Sequence, residues 1–281
     1  MKTYAYYNGD FCPYSEVRIP LDNRSIYFGD GVYDAMIGRG DKIFLFEEHI
    51  ERLFKNAERL KIKIKESKEE IENIILLLIK KSRLEEYFVY VQASRCSEER
   101  RHAFVDTDKS ALLVTVKDFR LPPINKRLKL ITVPDIRYTM CDVKTLNLLP
   151  SVLASQKAES LLCDEAVFHR GESVTECAHS NISILKNGVL YTHPTDKYIL
   201  PGITRKHLLS SAKALGIKCI ERPFTLRELK ASDEVIVSST SKLCLLAEKI
   251  DDTSLSGEEN SLGFSLITEV RREFFDFVSE F

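Results

Sequence analysis

The sequence predicts an α+β protein built as two mixed α/β domains, and three observations carry that expectation. Its 281 residues suffice for one large domain or two modest ones. Helical periodicity and β-rich runs are interspersed without the strict alternation of a doubly wound parallel sheet. Two adjacent prolines follow a β-rich run in Phe119-Arg120-Leu121-Pro122-Pro123-Ile124-Asn125, where an extended, semi-rigid connection is expected. The expected division is a smaller N-terminal domain over 1–118, a linker over 119–125 and a larger C-terminal domain over 126–281.

Each element has a local reason. From Glu47 to Lys61, the residues Ile50, Leu53, Phe54, Ala57 and Leu60 recur on one helical face. Ser67 with Glu70 makes a capping box for a second helix carrying Ile71, Ile74, Ile75 and Leu78. Tyr87 to Ser94 and Ala111 to Val116 are dense in β-branched and aromatic residues and read as strands. Beyond the linker, Leu128 to Val133 reads as a strand, and a helix begins near Pro150 and runs to Leu162. Glu165 to His169 is a strand that turns at Arg170-Gly171, and Asn187-Gly188 marks a hairpin. Thr204 to Leu215 is a helix stopped by Gly216, and Thr225 with Glu228 forms a second capping box. Glu234 to Val237 is a strand ending in Ser238-Ser239-Thr240-Ser241, Asp251 to Ser261 is a loop, and the last helix aligns Leu266, Val270, Phe274 and Phe277.

Composition narrows the function. The 41 Lys and Arg nearly balance the 42 Asp and Glu, against the basic excess of nucleic-acid binders. The longest apolar run, Ile74 to Ile79, is far shorter than the ~20 residues that span a bilayer. The first residues carry no apolar signal region. Seven scattered cysteines, an odd number without C-x-x-C spacing, argue against a disulfide framework or a metal site. The expectation is a cytoplasmic protein, with no nucleic acid, membrane or metal among its partners.

Several segments carry chemical potential. Phe28-Gly29-Asp30-Gly31-Val32-Tyr33-Asp34 has two glycines around an aspartate, which implies a tight turn or close backbone approach, structural or functional. Lys144 lies among apolar and uncharged residues, where desolvation would favour a nucleophilic amine; a snorkelling surface lysine is the alternative. Glu176 reads as a buried carboxylate in a polar cluster or as a turn residue. Leu200-Pro201-Gly202-Ile203-Thr204-Arg205 runs from a turn into a helix start that suits an anion, or is simply a helix start. Ser239 and Thr240 offer hydroxyls and N–H groups to the same kind of anion.

Taken together, five segments occur in one order: Phe28 to Asp34, Glu48 to Leu53, Asp142 to Asn147, Thr175-Glu176 with Ser180-Asn181, and Leu200 to Arg205. That order and spacing resemble the class IV (fold type IV) pyridoxal-phosphate aminotransferases from about Asn8 to Asp251, and the match is nearest to the D-amino acid aminotransferase branch. The resemblance implies pyridoxal 5′-phosphate held on Lys144 as a Schiff base, with Lys144 also moving the substrate proton. It implies Glu176 at the pyridine nitrogen. Arg52, Ile203, Thr204, Ser239 and Thr240 would lie at the phosphate and Leu200 on the ring face, with Ser180, Asn181 and Glu165 in support. Tyr33, Arg100 and His102 would grip the carboxylate of a D-alanine or D-glutamate type substrate, Arg100 and His102 reaching into the partner subunit of a homodimer. The acceptor would be a 2-oxo acid. An aminodeoxychorismate lyase and a branched-chain L-amino acid aminotransferase of the same family are the alternatives. Three places depart from the pattern: Asp34 stands for a glutamate, Cys177-Ala178-His179 for Gly-Ser-Ser, and Ser241-Lys242-Leu243 for Thr-Ser-Glu.

Overall fold

Alternation of buried and partly exposed residues in β3 (Gly31–Arg39), β5 (Glu86–Arg95) and β6 (Ser110–Asp118) lets one sheet face bury Val32, Met36, Val89, Val91 and Val114. The computed structural model describes residues 3–96, 99–104, 110–255 and 258–279. These strands belong to the first of two units, Met1–Arg120 with Val143–Asn147 and Phe277–Phe281; the second holds Leu121–Asp142 and Leu148–Asp276.

The first sheet also contains β1 (Tyr4–Tyr7), β2 (Asp10–Pro13) and β4 (Lys42–Ile43), in the order β2-β1-β6-β5-β3-β4, and every pairing is antiparallel. Helices α2 (Phe46–Arg59) and α3 (Lys68–Ser82) press Ile50, Leu53, Ala57, Ile71, Ile75 and Leu78 into its core. The capping box forms as read: Ser67 Oγ accepts from Glu70 N–H, and Glu70 accepts from Ser67 N–H at 2.7 Å. A short helix, α1 (Arg24–Phe28), precedes β3 and is closed by Gly29 in the left-handed region at φ 58°.

The glycine-flanked segment is therefore a helix cap that runs into a central strand, rather than a tight turn. Asp30 accepts from Arg24 Nε at 2.7 Å and from Arg95 Nε at 2.9 Å, which pins the cap. Gly31 supplies close approach. A Cβ there would stand 2.7 Å from Leu146 Cδ1 and 2.9 Å from the Ala93 carbonyl. Leu146 N–H donates to Gly31 at 3.1 Å, Tyr33 N–H donates to Lys144 at 3.0 Å, and Val32 bridges Thr145. These bonds place residues 143–147, and with them Lys144, in the first unit, although the sequence had them in the C-terminal domain. Pairing over a long sequence separation overrides position along the chain. Gly31→Ala is expected to cost about 1–3 kcal/mol through this overpacking, read as a lower urea midpoint.

In the second unit a ten-stranded mixed sheet is buried on both faces. Its members are β7 (Arg127–Pro134), β8 (Glu165–Arg170), β9 (Ser173–Cys177), β10 (Asn181–Lys186), β11 (Val189–Thr192), β12 (Lys218–Glu221), β13 (Phe224–Thr225), β14 (Glu234–Ser239), β15 (Leu243–Ile250) and β16 (Thr253–Ser254). The order is β12-β11-β10-β14-β15-β7-β8-β9-β13, with β16 on β15. Strand β7 runs parallel to both its neighbours, β15 and β8. Period-2 alternation divides the strands between two cores. Val235, Val237, Leu245 and Ala247 pack with Phe224 and with Leu229 of α6 (Leu226–Lys230). Ile236, Cys244 and Leu246 pack against α5 (Ile203–Ala214) and α7 (Leu262–Ser279).

Helix α4 (Leu149–Ser160) is inverted. It buries Ser151, Ala154 and Ala158 and exposes Leu149, Val152 and Leu153, with Leu162 beyond it 87% exposed. Within the stretch read as a loop from Asp251 to Ser261, Thr253–Ser254 pairs with β15, and residues 256–257 lie outside the described residues. No helix among the described residues is long and apolar enough to cross a membrane.

Candidate active site

In the first unit the chemistry gathers around β3. Its alternation turns Asp34 fully inward, while Tyr33 is half-buried. Asp34 accepts from Arg52 Nε at 2.8 Å and Nη2 at 2.9 Å, and its Oδ1 lies 2.7 Å from His49 Nδ1. His49 and Arg52 are one helical turn apart on α2, so both reach the same carboxylate. Burial raises the Asp34 pKa, but Arg52 and His49 outweigh it and hold the carboxyl well below its usual range. For His49, burial together with the positive charges of Arg52 and Lys144 wins over Asp34, and its pKa is lowered. Lys144 is half-buried, its Nζ 4.4 Å from the centroid of the Tyr33 ring. Tyr33 in turn stacks on Tyr90 at 5.4 Å.

Arg100 and His102 lie elsewhere in this unit. The Arg100 guanidinium sits 5.4 Å from the Phe28 ring centroid, and the His102 ring lies 5.3 Å from the same ring. Arg24 secures their loop by donating to the Arg101 and His102 carbonyls at 2.7 and 3.1 Å. Among the described residues, none of their contacts reaches Tyr33 or Lys144.

In the second unit Glu176, at the end of β9, is 5% exposed and held from three sides. Arg137 Nη1 donates to Oε1 at 2.5 Å, while Asn181 Nδ2 at 3.0 Å and Leu200 N–H at 2.9 Å donate to Oε2. Arg137 also donates to buried Asp135 at 3.0 Å from Nε and from Nη2, which fixes its fork. Asn181 donates to the Leu200 carbonyl at 3.0 Å, and its Oδ1 fills the space where a Cβ on Gly202 would stand. Gly202 caps α5, whose first turn carries no acid and whose cap makes no side-chain bond; Ile203 and Thr204 begin it. Ser239 ends β14 and Thr240 follows it, both half-buried. Glu165 is buried and accepts from Ser180 Oγ at 2.5 Å.

The expected residues thus gather in two groups, Tyr33, Arg52 and Lys144 in one unit and Glu165, Glu176, Ser180, Asn181 and Leu200 in the other. Sequence reasoning gave no role to His49, Asp135 or Arg137. His49 had a signal, being three residues before Arg52 on a helix. Arg137 had none, because its partner Glu176 is 39 residues away.

Comparisons with known proteins place the chain in a family. The model of the amino-transferase class IV family matches residues 31–250, from the first residue of β3 to the last of β15. The D-alanine aminotransferase of Staphylococcus haemolyticus is 36% identical over 252 residues, 89% of each chain. That of Listeria monocytogenes is 39% identical over 230 residues, 80% of each. Among solved structures, the branched-chain aminotransferase of the thermophilic archaeon Thermoproteus uzoniensis, with norvaline, shares the fold with a TM-score of 0.90 at 22% identity, covering 99% of this chain and 97% of that one. With a match that spans both the lysine-bearing group and the Glu176 group, the chain belongs to the class IV aminotransferases.

Proposed function

We propose that this aminotransferase moves the amino group of a D-amino acid, of the D-alanine or D-glutamate type, to a 2-oxo acid, using pyridoxal 5′-phosphate. The observation that carries the reading is the Lys144 amine against the Tyr33 ring, in a chain 36–39% identical to D-alanine aminotransferases. The residues suit the cofactor. An uncapped helix start without acids fits a phosphate, to be held by the N–H groups of Ile203 and Thr204 with Ser239, Thr240 and Arg52. An arginine-paired carboxylate, Glu176, fits a protonated pyridine nitrogen, with Leu200 on the ring face and Ser180, Asn181 and Glu165 in support.

When bound, the cofactor supplies an electron sink for the substrate carbon. Lys144 is its attachment point and the acid/base at that carbon, and Asp34 aims Arg52. Tyr33, Arg100 and His102 hold the α-carboxylate. The ratio of kcat/KM for D- and L-alanine tests the reading, and an L preference would reject it.

The active form is a homodimer in the cytoplasm, where seven unpaired thiols suit reducing conditions. The exposed Leu149, Val152, Leu153 and Leu162 supply an apolar face for a second copy. Arg100 and His102, apart from Lys144 in their own chain, would serve the partner's substrate. Arg100→Ala should weaken substrate binding by about 1.5–3 kcal/mol, the scale of a charge-assisted hydrogen bond. At substrate concentrations well below KM, mixing inactive Lys144→Ala chains with weakly binding Arg100→Ala chains should restore about a quarter of wild-type activity, since half the dimers would hold one complete site. No recovery on mixing would show that each chain serves itself.

A further inference from the structure

Two of the departures from the family pattern meet at one carboxylate. Lys242 Nζ lies 3.3 Å and His179 Nε2 3.0 Å from Glu165 Oε2, the oxygen that also accepts from Ser180 Oγ. Lys242 Nζ and His179 Nε2 are themselves 2.9 Å apart. The Glu165 side chain has no exposure, that of Lys242 14% and that of His179 49%.

An N···N hydrogen bond holds one proton, so the lysine and the imidazole nitrogen cannot both donate along it. Lys242 carries three N–H donors and gives one to Glu165 Oε2 and one to His179 Nε2. His179 accepts at Nε2 and carries its own proton on Nδ1. Lys242 is then the cation that balances the buried Glu165, which without one would be costly to keep ionised. From Glu165 a short path leads through Ser180 to its neighbour Asn181, and from Asn181 Nδ2 to Glu176. Arg137 anchors Glu176 at one end of this path; Lys242 anchors Glu165 at the other.

We propose that Lys242 is a positioning residue of the aminotransferase site, one that keeps Glu165 a carboxylate, locks His179 in its Nδ1–H tautomer and so steadies the Ser180–Asn181 link to Glu176. The role rests on the functional reading above, but its structural half can be read without turnover. In protein labelled with 15N-histidine, His179 should show the Nδ1–H tautomer at neutral pH, its signal assigned by its loss in His179→Gln. In Lys242→Met the proton should move to Nε2, now donated to Glu165. Should that variant fail to fold, Glu165→Ala combined with Lys242→Met removes both charges and every donor to Nε2, and the Nδ1–H tautomer should be lost there too. With D-alanine, kcat in Lys242→Met should fall about ten- to hundredfold at little change in KM, the scale of a charge-assisted bond, and Lys242→Arg should recover most of it. An unchanged His179 tautomer, or full activity in Lys242→Met, overturns the proposal. Absence of D-alanine turnover in the wild type would instead overturn the functional reading and leave the tautomer shift to decide the cluster.

Discussion

Lys144→Ala is expected to cut transamination by about four orders of magnitude or more, because the proposed function gives one amine the work of both nucleophile and proton carrier. The fold should survive. What ties this segment to β3 is backbone, the Lys144 carbonyl taking Tyr33 N–H and Leu146 N–H reaching Gly31, and alanine keeps both bonds. Loss of activity with an unchanged urea midpoint is therefore the expected pair of results. Borohydride reduction of the wild-type holoenzyme, followed by peptide mapping, should find the pyridoxyl group on Lys144. A label on any other lysine would end the assignment.

The second large effect is on stability. Asp34→Ala would leave Arg52 and His49 beside an empty site in a buried setting, a loss of about 3–5 kcal/mol. Acid titration supplies the independent check. A carboxylate with a depressed folded pKa stabilises the native state above its unfolded pKa, about 3.9, and that contribution drains away as pH falls from there towards the folded value. The stability gap between wild type and Asp34→Asn, measured by urea unfolding, should be full at neutral pH and narrow steadily below about pH 4. A gap that stays constant into acid would show that the charge of Asp34 is not what holds Arg52.

Helices and turns were the most legible parts of this chain, because their signals are local. Both capping boxes form, and Asn187 and Gly188 take the positive φ values a tight hairpin requires. Strand β3 escaped notice since its glycines resemble turn chemistry, and only the approach of Leu146 shows why one of them is needed. The roles proposed for Lys144, Glu176 and Arg52 were legible only as an ordered pattern of motifs. Their supports were not. Arg137 reaches Glu176, and Lys242 reaches Glu165 and His179, over gaps of 39, 77 and 63 residues, for which periodicity carries no signal.

The five residues around Lys144 have a consequence for the life history of the chain. Leaving Asp142, the polypeptide enters the first unit, gives it Val143 as a core residue, and departs again at Leu148. The N-terminal 120 residues are thus missing part of their own interior until residues 143–147 have also been synthesised. Expressed alone, that fragment should be aggregation-prone, for it would emerge with β3 lacking its bridge to Thr145. A protease cut in the proline linker should have the opposite outcome. The two fragments would stay joined by the backbone bonds of residues 143–147 to β3, and should elute as a single species until denaturant is added.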